Sequence, residues 1–300
     1  MLLADAPLGP SWNIITDIQQ VWSFPFMVNA FRAGTIVAVA SAVMGWFMVL
    51  RRQTFAGHTL AVVGFPGAAG ATLIGVGATY GYFAFCLVAA LVIAAIPRGG
   101  QESYGHESAA TGTVQAFALA CGFLFIALSK GFLNGVDALL FGTFLGITEG
   151  QVIVLLVVTV VVLVVMAVAG RPLLFASVDP IVAAARGVPV RTLSIAFLVL
   201  LGAAVAEASQ ITGTLLVFAL LVMPAATAQA LTARPALSLG LSVAIAIAVT
   251  WLGLGVAYYS VYPIGFFVTT IAFVPYVLAQ LLHRGRRVRY RGAQLTGSAA

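Results

Sequence analysis

The chain of 300 residues has few charged side chains: Asp, Glu, Lys and Arg make up 7% of it, against roughly a quarter in soluble globular domains. Its two cysteines, Cys86 and Cys121, both lie in apolar stretches, so no disulfide framework or C-x-x-C motif is available. The single lysine, Lys130, follows no glycine-rich loop, and the G-x-S-x-G and H-E-x-x-H motifs are absent as well. These absences argue against a water-soluble enzyme, a membrane-embedded hydrolase and a nucleotide site on this chain.

Apolar residues are abundant instead, at 62% of the chain. Since about twenty apolar residues cross one bilayer core, this is material for on the order of eight to ten helices. A transmembrane β-barrel would alternate polar and apolar residues, whereas segments such as 152–169 are apolar at nearly every position. The sequence therefore predicts an all-α polytopic membrane protein.

The apolar segments predict about nine transmembrane helices, with eight as the alternative. Their ranges are 26–50, 58–78, 83–96, 114–129, 152–169, 193–208, 213–231, 236–259 and 264–282. A further apolar segment, 136–148, is short for a span and indicates a re-entrant or interfacial helix, with Asp137 as its candidate cap. The chain then divides into an extracytoplasmic segment 1–25, a transmembrane domain 26–283 and a basic cytoplasmic tail 284–300.

The distribution of basic residues predicts the orientation in the membrane. With the N-terminus outside and nine spans, twelve of the 14 lysines and arginines lie on the cytoplasmic side, and Arg32 and Lys130 are the two exceptions. The twelve are Arg51, Arg52, Arg98, Arg171, Arg186, Arg191, Arg234, Arg284, Arg286, Arg287, Arg289 and Arg291. The positive-inside rule therefore favours an N-terminus outside and a C-terminus inside.

Two ionisable residues in the spans are candidate metal ligands. His58 stands at the start of the second span and Glu207 near the outer end of the sixth. Charged groups are costly in the bilayer, and imidazole and carboxylate are ligands that Zn²⁺ or Mn²⁺ accepts. The alternative is that His58 bonds a backbone carbonyl at the cytoplasmic edge and that Glu207 lies among outer headgroups.

A short helix with a defined start and end is predicted on the cytoplasmic side between the fifth and sixth spans. Asp179 is a candidate N-cap, Pro180 suits the first helical position, and the alanines around Ala184 favour helix. Arg186 and Gly187 follow, and the glycine is typical of a helix end. We interpret this helix as a docking element for a cytoplasmic partner, with a plain connector as the alternative.

Taken in order along the chain, these features resemble the membrane subunits of zinc- and manganese-type ABC importers. The motifs that carry the resemblance are Arg51-Arg52, Phe65-Pro66-Gly67, Asp137 to Gly142, Asp179 to Gly187, the segments 211–216 and 220–228, and Pro263-Ile264-Gly265. The resemblance extends over nearly the whole chain, from Phe31 to Leu282. The helix breaks and close packing points are Pro66, Gly67, Gly213, Pro224, Pro263 and Gly265.

The resemblance implies a homodimeric, non-enzymatic permease in the bacterial cytoplasmic membrane. Each subunit would pair with a cytoplasmic ABC ATPase through the Asp179 to Gly187 helix and receive metal from an extracytoplasmic metal-binding protein. It implies no permanently bound cofactor and no nucleic acid, with Zn²⁺ or Mn²⁺ as cargo and ATP on the partner. The nitrogen of His58 places zinc ahead of manganese. The alternative is a stand-alone ion-coupled secondary transporter, which the scarcity of intramembrane carboxylates disfavours.

The chain departs from this family at its metal-binding positions. The family usually has an aspartate and, one turn later, a histidine where this chain has His58 and Val62, and an aspartate where it has Val261. Glu207 stands where the family is usually apolar. Either the cation path has been rebuilt around His58 and Glu207, or the channel supplies almost no direct ligands and selectivity belongs to the binding protein.

Overall fold

The computed structural model describes Gln19 and residues 22–96, 103–128, 146–260 and 262–297, with the backbone alone over 103–107, 210–212, 214–215 and 283–297. Across these ranges the chain is helical and forms no strand. The helices are α1 (Pro25–Leu50), α2 (Thr54–Leu73), α3 (Ala78–Ala95), α4 (Ser103–Leu128), α5 (Glu149–Val178), α6 (Pro180–Ala185), α7 (Val190–Thr212), α8 (Thr214–Leu231), α9 (Pro235–Tyr258) and α10 (Ile264–Gly297).

Within the described residues, seven helices are long and apolar enough to cross a membrane. These are α1, α3, α5 and α9 over their full lengths, α4 over Ser108–Leu128, α7 over Val190–Ser209 and α10 over Ile264–Leu282. Helix α8 is apolar over Leu216–Leu231, which is shorter than these seven. Helix α2 is long but is not among the seven candidate spans. The all-α polytopic class predicted from the sequence is confirmed.

Several helices extend beyond the apolar segments that predict them. Helix α4 begins at Ser103, within a stretch whose polar residues suggest a loop, and α5 runs 30 residues against the predicted 152–169. A helix of that length measures about 45 Å, longer than a hydrocarbon core of about 30 Å. An apolar run in the sequence indicates only the part of a helix that contacts lipid. The hydrogen-bonded helix itself continues beyond that run into polar residues. Asp137 and most of 136–148 lie outside the described residues, as does Val261.

Local sequence signals set the helix ends. Pro25, Pro180 and Pro235 occupy the first turns of α1, α6 and α9, where the missing N–H of proline costs no helical hydrogen bond. A capping box opens α5, because the Thr148 hydroxyl accepts the Gln151 N–H while the Gln151 side chain accepts the Thr148 N–H.

Helix α1 is the central element, buried along most of its length against α5, α7, α8 and α9. Side-chain hydrogen bonds, three of them at 2.9 Å or shorter, connect it to α8 and α9. Trp46 Nε1 donates to Ser238 Oγ at 2.9 Å, Gln229 Nε2 donates to the Trp46 carbonyl at 2.8 Å, and Trp251 Nε1 donates to Thr35 Oγ1 at 2.9 Å. The hydrophobic effect provides little association force between helices within lipid, so such polar links contribute, with close packing, to holding the helices in register.

Candidate functional site

His58 lies about one turn into α2 and is half-buried. Its ring packs edge-on against Phe218 of α8, with 4.9 Å between the ring centroids and 68° between the planes. Its Nδ1 is buried and has no hydrogen-bond partner among the described residues. One nitrogen of a neutral imidazole is an acceptor, so His58 has capacity to bind a cation or a water.

Glu207 is buried inside the helical bundle, with 1% of its surface exposed. Its Oε1 accepts a hydrogen bond from Thr159 Oγ1 of α5 at 3.0 Å, whereas Oε2 has no partner in the described part of the chain. The residue borders a cavity of about 310 Å³ whose rim includes the exposed Thr79, Thr148 and Gln151 near the first turns of α3 and α5. The cavity thus leads from exposed hydroxyl and amide groups to a buried carboxyl group.

His58 and Glu207 belong to different neighbourhoods. The ring contact of His58 is with α8, the hydrogen bond of Glu207 is with α5, and His58 is not part of the cavity that Glu207 borders. The described residues also contain no group of three or more His, Cys, Asp and Glu side chains able to hold a metal ion together. Among the described residues, each of the two therefore offers one isolated donor group.

Thr159 is a partner of Glu207 that nothing in the sequence pattern singles out. It sits in the long apolar run of α5, 48 residues before Glu207, and is buried with 4% exposure. A lone hydroxyl in a membrane helix more often bonds the carbonyl one turn earlier, as Thr227 does with Met223 and Thr250 with Ala246. Only the crossing of α5 and α7 brings the Thr159 hydroxyl to a carboxyl group.

The proline and glycine residues singled out in the sequence lie at helix interiors, ends and contacts. Pro66 and Pro224 are inside α2 and α8, and Pro263 and Gly265 are at the start of α10. Gly67 faces Gly81 of α3 so closely that a Cβ on either residue would overlap the other's carbonyl oxygen. Gly213 separates α7 from α8 with φ 76°, a conformation that favours glycine.

Helix α6 is short and capped, and most of its side chains are exposed in the described part of the chain. The Asp179 side chain accepts hydrogen bonds from the N–H groups of Ile181 and Val182 at 3.1 and 3.0 Å. Ala183 is fully buried against the bundle, whereas Ile181 is 81% exposed, and Ala184 and Arg186 are exposed too. Gly187 follows the helix with φ 80°. An exposed apolar residue on a rigid, capped element is a feature of docking surfaces.

The fold and these sites define a class of protein: a multi-pass helical membrane protein with proline-interrupted helices and a capped surface helix joining two long helices. The profile of the ABC 3 transport family matches residues 23–283, most of the chain. The chain belongs to the ABC 3 transport family.

Individual relatives agree with this membership. The chain is 30% identical over 224 residues to the manganese transport system membrane protein MntC of Halalkalibacterium halodurans, covering 74% of this chain and 75% of that protein. It is 29% identical over 215 residues to the chelated iron transport system membrane protein YfeC of Yersinia pestis, covering 72% of each. The solved structure of PsaBC from Streptococcus pneumoniae in complex with a Fab matches with a TM-score of 0.78 and 26% identity, covering 89% of this chain and 95% of that chain.

These matches confirm the resemblance drawn from the sequence motifs. As a member of this family the chain is a membrane-embedded transport subunit and not an enzyme, and ATP hydrolysis belongs to a separate subunit.

Proposed function

We propose that this chain is the permease subunit of an ATP-driven importer of a divalent transition metal in the bacterial cytoplasmic membrane. The observation that carries the proposal is the family match over residues 23–283 together with relatives named for manganese and chelated iron transport. The chain itself has no phosphate-binding signature, so the ATP must bind to a partner.

Manganese is the first cargo to test. The imidazole of His58 by itself favours zinc over manganese only weakly, because both ions accept nitrogen and oxygen ligands. The match to the relative named for manganese transport extends over three quarters of that protein, and this shifts the order to manganese first and zinc second. The relative named for chelated iron adds a metal chelate as a third candidate.

The assembly we propose has two copies of this chain, two cytoplasmic ATPase subunits and an extracytoplasmic metal-binding protein, with the N-terminus outside and the C-terminus inside. Helix α6, with its exposed Ile181, would contact the ATPase. His58 and Val62 lie one turn apart and are both half-buried. A second copy facing these positions would supply donors beyond those that the described residues of one chain bring together.

The test is ATP-dependent uptake in proteoliposomes. Vesicles containing the chain, its ATPase and its binding protein should accumulate Mn²⁺ when ATP is supplied to the ATPase side, and Zn²⁺ uptake under the same conditions ranks the two metals. Uptake that persists without the ATPase and follows an ion gradient would establish the stand-alone secondary transporter instead.

The role we propose for His58 predicts a transport defect without an assembly defect. His58→Ala should lower the rate of Mn²⁺ uptake by about ten-fold or more, the range seen when groups supporting a metal site are removed. Val62→Ala, one turn along the same helix, is the matched control and should transport normally. Equal uptake by the His58 variant and the wild type, at equal recovery of the complex, would remove His58 from the cation path.

A further inference from the structure

Arg51 follows the last residue of α1, and its guanidinium holds three separate parts of the chain. Nη1 donates to Ser177 Oγ at 3.1 Å, Nη2 donates to Ser194 Oγ at 2.6 Å, and Nε donates to Gln53 Oε1 at 3.2 Å. The two serines lie 126 and 143 residues away in sequence. One side chain thus joins the α1–α2 connection to the last turn of α5 and the first turns of α7.

The surroundings of this cluster make its hydrogen bonds strong and its geometry specific. Gln53 and Ser194 are 8% and 7% exposed, and the guanidinium lies over the Phe197 ring at 5.3 Å from the centroid. Hydrogen bonds from a charged donor are stronger than neutral ones, more so where water is excluded. The planar fork directs each of its three nitrogens to a different acceptor, whereas an ammonium group presents all of its donors from one nitrogen.

Arg51 and its hydrogen-bond partners connect the two helices that flank α6 in the chain. Ser177 is the residue before the last of α5, Ser194 is the fifth residue of α7, and α6 lies between them in the chain. The guanidinium therefore ties together the two ends of the segment that presents α6. On its other side it binds Gln53, the residue immediately before α2, five positions before His58.

We infer that Arg51 is a positioning residue that couples displacement of α6 to α2. When a partner pushes or pulls α6, the ends of α5 and α7 can move relative to the α1–α2 connection only if the guanidinium bonds move with them or break. Arg51 thereby links the docking helix to the helix that carries His58. This inference rests on the proposed function, since it requires a partner that moves α6.

The experiment measures Mn²⁺ ions imported per ATP hydrolysed by the complete complex in proteoliposomes. Arg51→Ala and Arg51→Lys remove the fork, and Ser194→Ala and Ser177→Ala each remove one acceptor while leaving the charge. We expect Arg51→Ala to lower imported ions per ATP by about five-fold or more, the lower end of typical coupling between sites. Each serine variant should lower the number of imported ions per ATP by a smaller factor. Arg51→Lys should lower this ratio as Arg51→Ala does, because lysine keeps the charge but not the fork. Arg52→Ala, an exposed arginine at the next position, is the matched control and should leave it unchanged.

The outcomes are distinguishable. A lower ratio with ATP hydrolysis maintained supports the inference, whereas uptake and hydrolysis falling together at an unchanged ratio identifies a merely structural residue and overturns it. If Arg51→Ala does not assemble, the two serine variants decide, and wild-type ratios in both would overturn the inference. Absence of ATP-driven uptake of Mn²⁺, Zn²⁺ and a metal chelate alike by the wild-type complex would instead contradict the proposed function.

Discussion

Glu207 is more deeply buried than its position in the sequence suggests. One interpretation of its position near the end of a span places the side chain among the outer lipid headgroups. In the structure the side chain is 1% exposed and hydrogen-bonded to Thr159. A carboxyl group inside a membrane protein is costly unless it binds a partner. The sequence identifies the residue because it is ionisable, but it does not identify the partner, because the contact depends on how α5 and α7 cross.

Replacing Glu207 with glutamine tests whether its charge serves transport. Glu207→Gln keeps an oxygen for the Thr159 hydroxyl and removes the capacity to ionise, so the melting temperature of the complex should be unchanged or higher. If the carboxylate contributes to the cation path, Mn²⁺ uptake should fall while assembly is retained. Thr159→Val is the companion variant, which removes the hydrogen bond but keeps the charge. Wild-type uptake by Glu207→Gln would assign the residue a packing role only.

At the scale of elements, α6 is the part of the fold that local sequence determines most completely. Asp179 and Pro180 start it and Gly187 follows its end, and each acts through backbone groups within three residues of itself. The contacts of Arg51 with Ser177 and Ser194 are the opposite case, because these serines lie 126 and 143 residues away and meet Arg51 only after the helices have packed.

Removing the cap should weaken partner docking on α6. Asp179→Ala leaves the N–H groups of Ile181 and Val182 without their acceptor, at a cost of about 1 kcal/mol in helix stability. We expect less ATPase to co-purify with this variant. Asp179→Asn caps about as well and should retain the ATPase. Equal ATPase recovery with the wild type, Asp179→Ala and Asp179→Asn would show that docking does not depend on the capped helix.

Close approach of α2 and α3 at Gly67 and Gly81 predicts a stability effect. A methyl group at Gly81 would overlap the Gly67 carbonyl and the Ala71 side chain, so Gly81→Ala should destabilise the protein by about 1–3 kcal/mol, as overpacking does. Gly240 in α9 has open space where its Cβ would be, and Gly240→Ala should be neutral or slightly stabilising. Thermal melting in detergent compares the two, and equal melting temperatures would contradict the packing assignment.

At the scale of the whole molecule, the basic residues predict which ends face the cytoplasm. In a parent lacking Cys86 and Cys121, Tyr80→Cys at the start of α3 should react with a membrane-impermeant maleimide in intact cells. Arg234→Cys, before α9, should react only after the membrane is opened. Both positions are exposed, so access to the reagent depends on the side of the membrane. The reverse pattern would invert the proposed orientation.

The amino-acid sequence suffices to establish the helical membrane class, the approximate spans and the capped α6, because hydrophobicity and backbone capping act over one or a few turns. Tertiary structure was needed for the separate neighbourhoods of His58 and Glu207, and for the joining of α5, α7 and the α1–α2 connection at Arg51. Those features depend on which helices cross and where. Crossings are set by close packing between residues far apart in the chain, as between Gly45 of α1 and Leu221 of α8, and no local pattern encodes them.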